Sequence, residues 1–154
     1  MRGLVQGVCL ALAISAGALA QGASAQTAAS GLQFEYGLVP SDMVLSHPQS
    51  REERRLHPGD ARKGRSHLGL SLFDAQSGER IAKAEVVVHI TPAGGASISK
   101  ALEPMDIGGK AGFGAFVPVG TPGLYKIRFD VQRPGIADTQ SAEFEHRIAE
   151  SRRK

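Results

Sequence analysis

The chain has 154 residues, with 18 Lys and Arg against 15 Asp and Glu, for a formal charge of +3. That length holds one domain of ordinary size, and so small a basic excess, with 5% aromatic residues, argues against a nucleic-acid partner. Its one cysteine, Cys9, lies in an N-terminal segment expected to be removed, which excludes disulfides, thiolate catalysis and Cys-ligated zinc from the mature chain.

Arg2 precedes a Leu- and Ala-rich apolar run over residues 8–20, followed by the small-x-small sites Ala18-Leu19-Ala20 and Ala23-Ser24-Ala25. A basic start, a short apolar core and such a site describe a secretory signal peptide over residues 1–25. The run is interrupted by Ser15 and Gly17 and falls short of the ~20 residues a membrane span needs. The mature protein is therefore expected in the periplasm or secreted, with no integral membrane span. Removal of Arg2 lowers its formal charge to +2.

Residues 26–65 read as an N-terminal strand followed by a flexible Pro- and charge-rich segment. After a loose start over 26–31, Leu32, Phe34, Tyr36 and Leu38 alternate with Gln33, Glu35 and Gly37, the period of a half-buried strand. From Pro40 to Arg65 that pattern disappears into His47-Pro48, His57-Pro58-Gly59 and the charge run Arg51-Glu52-Glu53-Arg54-Arg55. Such a segment is either a binding loop or a solvated connection.

The expected core covers residues 66–148. Leu68, Leu70 and Leu72 share one strand face, with His67, Gly69, Ser71 and Phe73 on the other. Gln76-Ser77-Gly78 turns the chain, and Gly78 tolerates a positive φ. Val86, Val88 and Ile90 then share a face, opposite Glu85, Val87 and His89, in a Val-rich run that favours a strand. A short strand over 97–102 is interrupted at Glu103-Pro104-Met105. A glycine-bearing strand follows over 112–117. Tyr125, Ile127, Phe129 and Val131 point inward, with Lys126, Arg128 and Asp130 outward, and Ala142 and Phe144 mark the last strand. Residues 149–154 form a basic tail. About seven short strands separated by turn signals, with no helix outside the signal, predict an all-β fold: a single immunoglobulin-like, transthyretin-like antiparallel β-sandwich.

The stretch Leu72-Phe73-Asp74-x-x-Ser77-Gly78-x-x-Ile81-x-x-Ala84-x-Val86 resembles the first hairpin of transthyretin-like and carboxypeptidase-regulatory-like domains. Gly120-x-x-Gly123-x-Tyr125-x-Ile127 is similar to their strand entry. The resemblance covers roughly residues 68–131 and implies a structural or binding module. The His67-Leu68 strand start, Leu102-Glu103-Pro104-Met105 and Phe144-Glu145-His146 also resemble small bacterial periplasmic β-sandwich proteins. That second resemblance implies handling of a metal, copper or iron.

Imidazole and thioether donors suit copper, so His67, Met105 and His146, at strand starts and ends, form the candidate metal set. Against it, no two histidines have a ligand spacing such as H-x-H. No G-x-S-x-G turn, placed acid–base pair or phosphate loop is present, so the chain is expected not to be an enzyme. The alternative to metal handling is a purely protein-binding or structural module whose partner is another envelope protein. The Gly112-Phe113-Gly114 strand either accepts a partner strand at an edge or uses its glycines to relieve crowding.

Overall fold

The computed structural model describes residues 24–46 and 64–150. All of the expected signal segment except Ser24 and Ala25 lies outside the described residues. So do His47, His57 and the 51–55 charge run.

Eight strands and one short helix follow in order: β1 (Ser24–Ala29), β2 (Leu32–Pro40), α1 (Ser41–Ser46), β3 (Ser66–Asp74), β4 (Glu85–Pro92), β5 (Ile98–Asp106), β6 (Ala111–Val117), β7 (Gly123–Gln132) and β8 (Gln140–Ile148). They form one antiparallel sheet in the order β1-β2-β3-β6-β5-β4-β7-β8. The fold is all-β and antiparallel, as the alternation predicts.

The sheet folds on itself at β5. Residues 98–102 of that strand pair with β4, whereas Glu103–Asp106 pair with β6. Glu103-Pro104-Met105 therefore does not end the strand; it is where one strand passes between two layers. Proline is tolerated there because ladder bonding changes partner at the corner. One layer holds β1, β2, β3 and β6 with the end of β5; the other holds the start of β5 with β4, β7 and β8.

The outer strands β1 and β8 come together without a backbone ladder, so the sheet is nearly closed. Side chains bridge that seam. Gln140 Nε2 donates to Ser30 O at 2.5 Å, and Ser30 Oγ donates to Ser141 O at 3.3 Å.

Between the layers lie the residues that alternation assigns to the inside. Leu32, Phe34, Leu68, Leu70, Leu72, Val88, Ile127, Phe129 and Val131 are fully buried. Tyr36 of β2 packs on Phe129 and Phe144 across the layers, with ring centroids 5.5 and 4.8 Å away. Such tilted and edge-on contacts add to the burial of the rings. β2 thus belongs to the same core as β3 to β8.

Two expectations need correction: a helix outside the signal is present as the six-residue α1, and the expected first hairpin does not form. β3 and β4 are not hairpin partners: β3 pairs with β2 and β6, and β4 with β5 and β7. The turn between them is nonetheless built as its residues predict. Asp74 Oδ1 accepts from the backbone N–H groups of Gln76 and Ser77, at 3.0 and 2.9 Å, and Gly78 has φ +72°. After an isolated bridge, Phe73 to Arg80, the chain crosses to the other layer. Of the two readings of the glycine-bearing strand, the accepting edge is excluded. β6 lies between β3 and β5, pairing with β3 over residues 113–117 and with β5 over residues 111–114, so it is not an edge strand.

Candidate metal site

β3 sends Leu68, Leu70 and Leu72 into the core, so His67 emerges on the outer face of its layer. Its register partners are Val39 and Phe116. Despite facing outward, His67 is only 7% exposed and Phe116 is fully buried. The two rings meet edge to face, with centroids 5.0 Å apart.

The neighbouring glycine makes this packing possible. A Cβ on Gly114 would collide with Met105 Sδ and lie 3.1 Å from His67 Cε1 and 3.0 Å from Leu68 O. The thioether of β5 and the imidazole of β3 therefore converge over the bare backbone of β6. Gly112 does the same for the Ile107 side chain. These glycines relieve crowding between β6 and the side chains laid across it.

Two cationic groups border the pair. Arg65 Nη2 and Lys100 Nζ both donate to Phe116 O, at 3.3 and 3.0 Å.

His146 lies elsewhere. It sits on β8 with its side chain between the layers, 7% exposed. Its Nδ1 is 3.1 Å from the Tyr36 hydroxyl. Burial pushes its imidazole below the usual histidine range and the Tyr36 phenol above the usual tyrosine range. His67 and Met105 thus share the outer face of the layer whose inner face meets His146. The structure brings together two members of the expected set of three and separates the third by a sheet. Among the described residues, no group of three or more His, Cys, Asp or Glu gathers around one point.

Sequence reasoning misses Gly114 and Phe116. Alternation puts them on the same face of their strand as Gly112, but only the β3–β6 and β5–β6 registers place them beside His67 and Met105.

A two-layer antiparallel sheet with a histidine–thioether pair on one outer face is the class of protein that this geometry defines. No protein-family profile matches the chain, and no curated sequence does. Solved structures do share the fold. FetP of uropathogenic Escherichia coli strain F11 matches with TM-score 0.64 and 15% identity over 84% of this chain and 95% of its own. A DUF4426 family protein from Pseudomonas aeruginosa matches with TM-score 0.63 and 14% identity, over 83% and 96%. Copper-reconstituted P19 from Campylobacter jejuni matches with TM-score 0.59 and 10% identity, over 80% and 92%. A variant of FetP has also been crystallised with copper bound. At these identities the likeness establishes the fold.

Proposed function

We propose that the protein is an exported accessory protein of the bacterial envelope that handles a metal, with copper the favoured ion and His67 and Met105 the side chains that hold it. The observation that carries this reading is the convergence of Met105 Sδ and His67 over Gly114, where an added methyl group would collide with the sulfur. The copper-bound FetP variant and P19 structures of the same fold support it, and FetP recombinantly expressed in the periplasm of Escherichia coli is in keeping with a periplasmic setting. Among the described residues no helix is long and apolar enough to cross a membrane.

The donor set favours a soft ion, because thioether sulfur is a poor ligand for hard cations and a good one for Cu(I).

Metal content and copper affinity of the purified chain test the proposal. His67→Ala and Met105→Leu should each weaken binding at least tenfold, about 1.4 kcal/mol, while the metal-free chain stays folded, with a lower melting temperature for His67→Ala because the ring packed on Phe116 is lost. His146→Ala should leave copper affinity unaltered, since that side chain faces the other way. Because an imidazole ligand must be deprotonated, acid should weaken binding. A chain that binds no copper, iron, zinc or nickel and gains no heat stability from any of them would instead be a protein-binding or structural module.

A further inference from the structure

The opposite layer carries a second arrangement on its outer face, independent of the metal reading. In register, His89 of β4 lies between Ser99 of β5 and Arg128 of β7, and Asp130 of β7 lies beside Ser141 of β8. The side chains join across all four strands. His89 Nδ1 is 2.7 Å from Ser99 Oγ, and His89 Nε2 is 3.0 Å from Asp130 Oδ2. Asp130 Oδ1 accepts from Arg128 Nε at 2.8 Å and from Ser141 Oγ at 2.7 Å.

That carboxylate fixes the ring. Burial pushes the Asp130 carboxyl up, but the hydrogen bonds from Ser141 and Arg128 outweigh it and hold it below the usual carboxylate range. Asp130 is thus an anion whose Oδ1 is already occupied by two donors. Its Oδ2 takes a proton donor from the imidazole, so in the neutral ring Nε2 carries the hydrogen. Nδ1 is then the lone-pair nitrogen and can only accept from the Ser99 hydroxyl. Base next to nucleophile, with a third group orienting the base, is the arrangement that activates a serine. The two ring nitrogens simply exchange the roles they have in the familiar proteases.

Beside the relay is a shallow open groove of about 300 Å³, lined by His89, Thr91, Ser97, Lys126, Arg128 and Glu143 among others. It can receive a small molecule next to the imidazole. Ser99 itself is exposed.

We propose that Ser99 is a nucleophile, with His89 its base and Asp130 a positioning residue, and that it takes the acyl group of small carboxylic esters. Ser99 Oγ bonds to the ester carbonyl carbon as its proton passes to His89 Nδ1. The bond from that carbon to the alkoxy oxygen breaks, and the departing alcohol takes the proton from Nδ1. Water, deprotonated by the same nitrogen, then releases the carboxylic acid and restores the hydroxyl.

The test uses the full chain with a fluorophosphonate probe, peptide mapping of the modified serine, and p-nitrophenyl acetate hydrolysis. Ser97 lies on the same stretch, is also exposed, and lines the groove; it is the internal control. Ser99 should be modified at least tenfold faster than Ser97. His89→Gln and Asp130→Asn should each remove that preference while Ser97 modification stays as it is and circular dichroism shows a folded chain. Ser99→Ala should abolish the hydrolysis that His89 supports. Equal modification of the two serines, or a preference that survives His89→Gln, would overturn the proposal. Copper binding is expected to be indifferent to all three substitutions, so this outcome and that of the metal site are separable.

Discussion

The two outer faces of the fold are made by the same alternation and have opposite chemistry. On the β3–β6–β5 face, His67 and Phe116 are buried although they point away from the core. On the β4–β7–β8 face, His89 and Asp130 stay partly open, with side chains 34% and 22% exposed. Glycine explains much of the difference. Gly69 and Gly114 are register partners on the first face, with Gly112 one step along, so side chains from neighbouring strands lie flat on bare backbone. The second face instead opposes long polar residues: Lys126 to Glu145, Arg128 to Glu143, His89 to Arg128. Those stand up, pair with one another and leave a groove. Removing side chains creates an apolar shelf with soft donors, and pairing them creates a polar relay.

The largest way to break the comparison is to remove what both faces share. Val88 is fully buried between the layers, opposite Phe129 in register. Val88→Asp should unfold the domain, because a buried unpaired carboxylate costs several kcal/mol against a total stability of about 5–15 kcal/mol. Circular dichroism and denaturant titration should show loss of both faces at once. A folded Val88→Asp protein would mean that the β4 register is wrong.

Gly114→Ala acts on one face only. Its methyl group meets a flexible sulfur but also the carbonyl of Leu68, so relief needs movement of Met105 and some strain in the sheet. Overpacking of this kind costs about 1–3 kcal/mol, and copper affinity should fall with it, whereas Ser99 modification should not change. Isothermal titration and a melting curve measure both. Undiminished copper affinity would remove Gly114 from the site.

Acid sharpens the contrast between outer faces and core. Burial lowers the pKa of His146 in the folded chain, so the unfolded chain binds that proton first. Its contribution to stability is complete above the unfolded value of about 6.5, declines as pH falls through it, and stops declining below the depressed folded value. Denaturation midpoints between pH 7.5 and 5 should fall, and His146→Gln should flatten that slope relative to the parent. An unaltered slope would show that another group dominates acid sensitivity.

The smallest effect is expected on the wet face. Lys126 and Glu143 are 3.4 Å apart with side chains more than half exposed, and such pairs contribute about 0–1 kcal/mol. Lys126→Asp should shift the melting temperature by little, and by less as salt is raised. A loss comparable to Val88→Asp would reverse the assignment of the β7 faces.

How far each part is legible in the sequence depends on the range of the interaction that makes it. Strand positions and faces follow from local period. Leu68-x-Leu70-x-Leu72, Val86-x-Val88-x-Ile90 and Tyr125-x-Ile127-x-Phe129-x-Val131 all bury the predicted side. The short β1 (Ser24–Ala29) is not legible, because Ala, Gln and Thr carry no alternation there; it is defined by pairing with β2. His67 and Met105 are legible as donors of the right chemistry. Their convergence is not, since it needs β3, β5 and β6 to lie side by side.

The amino-acid sequence by itself determines an all-β chain, the inward residues of its strands and the Asp74–Gly78 turn, because these depend on contacts between near neighbours along the backbone. Tertiary structure alone decides that β5 turns a corner at Pro104, that β3 and β4 part into different layers, and that His146 is a core residue while His67 lies outside. It also decides that Ser99, His89 and Asp130 meet. Each of these depends on which strands pair and in which register, a choice made by the packing of the whole core, and a one-residue slip would turn every one of those side chains to the other face.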